Sequence, residues 1–391
     1  MVRMPVFIDT FGGWALLGKH GSFWAKTLNF RKTANQIIAL FGVVCLWSAC
    51  GSSKPAQRYS QAKKSSDKGF ILGTFRLAPN GVIDGDTIKV KGLDSSLRLL
   101  SIDTEETFKD EKDKRAYAKG FTSYMAAKKG DSKKPVKAAT PLGEEAKVWA
   151  KDFFKDAEEI RLERDHPKSI KGRYGRYLTY VFVKKAGKWV HYNVEAVKAG
   201  MSPYFMKYGY SRRFHQEFEE AQNEARAKGL GIWNPKAESY KDYDKRLVWW
   251  NARAKFIDAF RKRSRQDSSY ILMDYWDTEK TLMESIGKEV TLLGTVGSIK
   301  KKDSGFRRVL LSRKRGHDFP LIFFNKYVFD VSGIESQRGE FIQVKGIVSE
   351  YKNPFTQKID WQIVVKHPDQ IVKSYKHESP AKEEQLNAKN H

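Results

Sequence analysis

The run Gly287-Lys-Glu-Val-Thr-Leu-Leu-Gly-Thr-Val296 returns as Gly339-Glu-Phe-Ile-Gln-Val-Lys-Gly-Ile-Val348. Apolar and β-branched residues alternate with polar ones in both copies, the pattern of a strand that buries one face. A glycine falls inside each run, and a mid-strand glycine marks a bend or a close backbone approach. Such strands suit a sheet that curls and closes on itself better than a flat one. With further strands around Ser312, at 321–324 and at 361–365, residues 285–374 are expected to form a five-stranded barrel. Packing alone must hold it, because the two cysteines of the chain, Cys45 and Cys50, both lie near the N-terminus.

A second folded region is expected over 70–236. Strands are predicted at 75–83 and 87–90 on either side of Asp84-Gly85-Asp86, then at 97–102, 159–163 and 177–183. Residues 144–157 carry Ala146, Trp149, Ala150, Phe153 and Phe154 on one stripe, as an amphipathic helix does. Helices are also predicted at 193–199 and 213–228, the latter stopped by Gly229. Between them, 109–141 is rich in lysine and reads as a surface insertion, most simply a solvated basic loop. A helical connector, 237–284, with a basic helix at 244–265, joins the two regions. Residues 51–69 are small and polar, as in a tether, and 375–391 form a charged tail expected to be disordered.

The first fifty residues read as a leader rather than as fold. Lys26, Arg31 and Lys32 precede an apolar run from Ile37 to Trp47, which ends in Ser48-Ala49-Cys50-Gly51. A charged segment, a short apolar one and small residues make an export signal, and the run is short for a membrane span. The cysteine after Ser-Ala resembles a bacterial lipobox, which implies lipidation at Cys50 and a cell-envelope or secreted location.

A formal charge of +26 favours a polyanionic partner. No P-loop, dinucleotide fingerprint or serine-nucleophile elbow occurs. The body of the chain holds no cysteine for a thiol nucleophile or a Cys-based zinc site. What remains is acids and arginines. Asp84-Gly85-Asp86 sets two carboxylates on a turn between strands, and Asp103-Thr104-Glu105-Glu106 ends the next strand, on which Arg98 lies. Acids so placed can converge on one hard, oxygen-liganded cation. Taken alone, Asp-Gly-Asp is more often an Asx-type hairpin turn.

The order of segments decides between these. Val82-Ile-Asp-Gly-Asp-Thr-Ile88, Leu97-Arg-Leu-Leu-Ser-Ile-Asp-Thr-Glu-Glu-Thr107, Gly143-Glu-Glu-Ala146, Arg173-Tyr-Gly-Arg-Tyr-Leu178, Val197-Lys-Ala-Gly-Met201 and Gly229-Leu-Gly-Ile-Trp233 follow one another. Over about 72–235 the chain resembles the staphylococcal nuclease (thermonuclease) family. The resemblance implies a mainly β fold with α, a nuclease-type oligonucleotide-binding (OB) barrel with three helices. The barrel at 285–374 would then be a second, small OB-like β-barrel. It also implies a Ca²⁺-dependent endonuclease that cuts DNA or RNA to 3′-phosphate ends.

Carried over by position, Asp86 and Asp103 are the implied calcium carboxylates, Thr104 offers its backbone carbonyl, and Asp84 stands behind them. Glu106 falls on the acid that orients or deprotonates the attacking water, and Arg98 and Arg176 on two phosphate-gripping arginines. Tyr204, Tyr208 and Tyr210 fall where the family's tyrosines line the nucleotide pocket, so base stacking is expected there, with Tyr204 and Tyr208 the candidates. Glu105 replaces a usual proline, which implies a looser Glu106 loop or a fourth acid near the metal. Gly172 replaces a usual aspartate. In the second barrel, Phe306, Arg307, Arg308, Arg313, Lys314 and Arg315 mix aromatic and basic groups as a strand-binding surface does.

The expected protein is thus an exported endonuclease, tethered to a membrane by an N-terminal lipid anchor, with no obligate protein partner implied. The alternative is a catalytically weak or inactive nucleic-acid-binding lipoprotein that uses two OB-type barrels for capture.

Overall fold

The computed structural model describes residues 69–373, apart from 133, 314, 353–356 and 358. The leader with Cys45 and Cys50, most of the 51–69 tether, Lys314 and the C-terminal tail lie outside the described residues. Among those described, no helix is long and apolar enough to cross a membrane.

In the first barrel, β1 (Ile71–Phe75) and β2 (Leu77–Asp84) are separated by Arg76 alone, so one bent strand forms both ends of the sheet. β2 pairs antiparallel with β3 (Thr87–Val90), and β3 with β4 (Leu97–Leu99). β4 runs parallel to β6 (Tyr177–Lys185), which pairs antiparallel with β5 (Glu159–Glu163), and β5 returns to β1. Five strands therefore close on themselves, and β7 (Lys188–His191) extends β6 as a hairpin. Alternation sets which side chains point where. Leu97 and Leu99 are buried in the barrel core with Ile88, Ile160 and Val181, while Arg98 between them faces the other way.

Three helices, α3 (Pro141–Phe154), α4 (Tyr192–Lys198) and α5 (His215–Ala227), pack on this barrel. Thr140 caps α3, accepting from the Gly143 N–H, and Pro141 fills the first helical position, where a missing N–H costs nothing. The insertion is not a solvated loop. It folds into α1 (Glu111–Tyr117), capped by Asp110, and α2 (Phe121–Lys129). Tyr124 and Ala138 pack with Leu142, Ile232, Tyr240 and Tyr243 in a small core of their own. The insertion's aromatics, outnumbered by lysines in the sequence, supply the apolar face.

The connector is only partly helical. α6 (Tyr243–Ser264) is followed by β8 (Tyr270–Leu272) and α7 (Thr278–Met283), and β8 joins the second sheet beside β9 (Glu289–Lys301). The other strands are β10 (Arg307–Ser312), β11 (Phe319–Phe323), β12 (Phe341–Lys352), β13 (Ile359–Val364) and β14 (Ile371–Lys373), with α8 (Lys326–Ser332) between β11 and β12. The circuit β9-β10-β11-β13-β12-β9 closes a second five-strand barrel, and its third and fifth strands are again the parallel pair. The repeated glycine has a packing reason. A Cβ at Gly346 would lie 2.5 Å from Ile363 Cγ2, so only glycine lets β12 bend over β13 there.

α6 couples the barrels. Arg253, 0% exposed, pairs with Glu340 of the second barrel and donates to the Lys207 carbonyl of the first at 3.2 Å. Lys134 of the insertion reaches the same carboxylate at 3.7 Å. Removing one partner of a buried pair leaves the other charge uncompensated. Arg253→Met will therefore lower the unfolding free energy by about 3 kcal/mol in urea titrations of the full chain. An unchanged midpoint would show that the pair holds nothing together.

Candidate active site

The acids expected from sequence meet at one end of the first barrel. The Asp84–Asp86 turn follows β2, and the 103–108 loop follows β4, which pairs with β3. Asp86 accepts hydrogen bonds from the Thr87 hydroxyl at 2.9 Å and the Thr104 N–H at 3.2 Å. Asp84 accepts from the Asp86 N–H at 3.2 Å, placing it behind Asp86. Asp103 is seated by its own N–H, which donates to Ser202 Oγ at 2.8 Å. Asp86 and Asp103 are both buried.

Arg98 joins these acids. Its guanidinium pairs with Asp86 through one nitrogen and with Asp103 at 2.5 Å through another. Burial works against its charge, but the two carboxylates outweigh burial and hold the guanidinium well above its ordinary range. Phe205 lies under it, 5.9 Å from ring centre to guanidinium. Arg176 sits just before β6 on a tight turn in which the Gly172 N–H donates to the Arg176 carbonyl at 2.9 Å. The β4–β6 register pairs Arg98 with Leu178, so the Arg176 turn enters β6 two residues before the position beside Arg98.

Glu105 is not loose, and its carboxylate is bonded to Thr140, Tyr240 and Tyr243 rather than to Asp86 or Asp103. It is 2% exposed, and it accepts from the Thr140 hydroxyl, the Tyr240 N–H at 2.8 Å and the Tyr243 hydroxyl at 2.8 Å. Burial pushes its carboxyl above the usual range, although these three hydrogen bonds pull the other way. The residue that replaces proline thus ties the loop to the cap of α3 and the start of α6. Glu106 is held by its backbone, its carbonyl accepting from the Thr140 N–H at 3.0 Å. A Cβ at Gly143 would lie 2.1 Å from that carbonyl oxygen, so the glycine lets α3 close on the loop. The Glu106 carboxylate itself is 42% exposed and open to water.

The insertion adds two cations that the sequence did not assign to the site. Lys137 donates to Asp103 at 2.8 Å and lies 3.9 Å from Glu106. Lys109 lies 3.6 Å from Glu106 and 3.7 Å from Asp84. Their spacing from the acids follows from the fold of the insertion, not from any local motif.

The two tyrosine candidates separate. Tyr204 is buried in the core, stacked on Phe218 at 5.0 Å, with its hydroxyl accepting from the Ser211 N–H. It has no face left for a base, and the expectation for it is corrected. Tyr208 is exposed, with its ring 5.8 Å from Phe205, beside Arg98. Tyr210 is half-buried and hydrogen-bonds Asn251.

Basic residues of the second barrel also change role. Arg307 and Arg313 are buried, the first donating to the Lys302 carbonyl at 2.6 Å and the second pairing with Glu279 at 2.6 Å. They hold the fold together and offer no surface to a strand. Arg315 is exposed, and its N–H donates to the Arg173 carbonyl. Arg173, three residues before Arg176, grips Asp318 with two nitrogens. The second barrel therefore buttresses the Arg176 turn.

Among the described residues, no group of three His, Cys, Asp or Glu is placed to hold a metal ion. Two carboxylates that share one guanidinium do, however, form an oxygen-only donor set with no sulfur or imidazole. That chemistry fits a hard cation, which takes oxygen ligands.

The family model for staphylococcal nuclease homologues matches residues 96–235, leaving Asp84 and Asp86 just upstream of the matched segment. The thermonuclease of Staphylococcus hyicus is 30% identical over 156 residues, covering 39% of this chain and 72% of that protein. The thermonuclease of Staphylococcus intermedius is 30% identical over 154 residues, with the same shares. The SPbeta prophage-derived endonuclease YokF of Bacillus subtilis is 29% identical over 154 residues, covering 39% of this chain and 42% of that protein.

Proposed function

The chain belongs to the staphylococcal nuclease family, and from that premise we propose that it is a Ca²⁺-dependent endonuclease cutting DNA or RNA to 3′-phosphate ends. The observation that carries this reading is the meeting of Asp86, Asp103 and Arg98 beside the open carboxylate of Glu106. Asp86, Asp103 and the Thr104 carbonyl would hold the cation, which when bound polarises the phosphate. Arg98 and Arg176 donate planar, paired hydrogen bonds to the non-bridging oxygens and offset the charge that builds there. Glu106 takes a proton from water as its oxygen bonds to phosphorus. The bond from phosphorus to the 5′ oxygen breaks; that oxygen takes a proton from solvent to leave as a 5′ hydroxyl, and Glu106 returns the proton it took to solvent.

Lys137 on Asp103 gives the rival reading, weak catalysis or capture alone, its specific support, because a cation must displace that ammonium. The charged segment, apolar run and Cys50 of the leader support export and lipid tethering; a mature protein whose first residue is not an acylated Cys50 would remove the tether.

Arg98→Ala and Arg176→Ala are each expected to lower kcat/KM about 100-fold or more in Ca²⁺. Cleavage products should accept label from polynucleotide kinase without prior phosphatase treatment. Products that already carry 5′ phosphates would overturn the assigned reaction.

A further inference from the structure

A cleft of about 430 Å³ opens where the first barrel, the C-terminal end of α6 and the Tyr275 turn meet. Lys168, Arg212, Arg213, Arg261 and Arg265 line it, and Asp165 is the one carboxylate among its lining residues. None of the residues of the candidate active site is part of the wall.

The charge in this cleft is only partly balanced from within: Arg212 faces Asp165 and its Nη1 donates to the Tyr275 hydroxyl at 2.7 Å. Arg213 is engaged by Glu163 at 2.6 Å and Lys168 by Asp277 at 2.7 Å. Asp165 is already shared, accepting from the Tyr180 hydroxyl at 2.9 Å and the Arg212 N–H at 2.8 Å, and its other oxygen lies 3.8 Å from Arg212 Nε. Arg261 donates to the carbonyls of Tyr210 and Tyr208, at 3.0 and 3.2 Å, which are dipoles and not charges. Arg212 Nε and Nη2 and Arg261 Nε are buried without a hydrogen-bond partner among the described residues. Arg265 stands exposed at the rim. His166, stacked on Tyr275 at 4.8 Å, reports the same field. Burial first, then the neighbouring Arg212, pushes its imidazole down to about 4, so it adds no charge near neutral pH.

We propose that this cleft is a second anion site, built for a phosphate group carried by a nucleic-acid strand or by a mononucleotide. Buried polar groups are normally answered by partners, and guanidinium donors left over in a concave wall call for one from outside. Guanidinium forks match the oxygens of a phosphate, monoester or diester, with paired hydrogen bonds. The site stands independently of the nuclease reading, because no acid or arginine of the candidate active site contributes to it.

The test is calorimetric titration of the full chain in chelator, so that nothing is cut, with inorganic phosphate as the probe. An Arg98→Ala/Arg176→Ala double variant should still bind phosphate, while Arg265→Glu should weaken binding by about tenfold or more. Arg212→Gln should do the same; should it fail to fold, the rim variant carries the test alone. An oligonucleotide without terminal phosphates that competes with phosphate in the double variant identifies the strand backbone as the source. Competition by adenosine 5′-monophosphate alone identifies the mononucleotide, and either source upholds the cleft. Phosphate binding that vanishes in the double variant, or that Arg265→Glu leaves unchanged, overturns the proposal.

Discussion

Replacing Glu106 with glutamine should lower kcat by about 100- to 10,000-fold while KM stays within a few-fold. The carboxylate is 42% exposed, with Lys109 and Lys137 beside it at 3.6 and 3.9 Å. The Glu106 backbone, bonded to Thr140 and packed on Gly143, helps to fix the loop together with the buried Glu105 carboxylate. Glutamine keeps that backbone and the side-chain shape, and removes the proton acceptor with its charge, whose pairs with Lys109 and Lys137 are long and exposed. A general base contributes little to ground-state binding, so the loss should appear in kcat. Steady-state kinetics on a single-stranded substrate in Ca²⁺ checks this. A glutamine variant with wild-type kcat would remove Glu106 from the chemistry.

Glu105→Ala should cost about 3 kcal/mol of stability, because it strands three buried donors at once. Those donors are the Thr140 hydroxyl, the Tyr240 N–H and the Tyr243 hydroxyl, drawn from the cap of α3 and the start of α6. The same change frees the loop between Asp103 and Glu106. At temperatures where the variant is still folded, kcat should fall about tenfold, the scale expected when a catalytic group loses its fixed geometry. Glu105→Gln should lie between alanine and wild type, since its carbonyl can still accept two of the bonds. Urea midpoints and kcat measured on the same preparations check both parts. An alanine variant with the wild-type midpoint would show that this carboxylate does not anchor the loop.

The chemistry-bearing core of the site was legible because it is local. Asp84 and Asp86 flank one turn, Arg98 and Asp103 belong to one strand and its exit, and adjacent strands bring them together. Glu105 looked like one more loop acid, because the partners that bury it lie far along the chain at Thr140, Tyr240 and Tyr243. Lys137 and Lys109 were hidden for a related reason. Lysine spacing does not reveal that the insertion folds back over the acids, and the signal available was the aromatic set Tyr117, Phe121 and Tyr124. Tyr204 and Tyr208 could not be ranked from sequence, since which of two nearby tyrosines turns inward depends on packing against Phe218. Composition misled in the second barrel, where Arg307 and Arg313 serve buried contacts. The mid-strand glycines, by contrast, carried their meaning openly, and Gly346 meets Ile363 as a barrel bend requires.

A working, cation-dependent nuclease centre of Asp86, Asp103, Arg98, Arg176 and Glu106 must cut nucleic acid only when its cation is present. The most direct test is cleavage of end-labelled single-stranded and duplex DNA by the full chain, in Ca²⁺ and in excess chelator. Fragments are expected in Ca²⁺ and none in chelator. Tight binding of the strand in Ca²⁺ with no fragments, or cleavage that persists in chelator, would contradict such a centre.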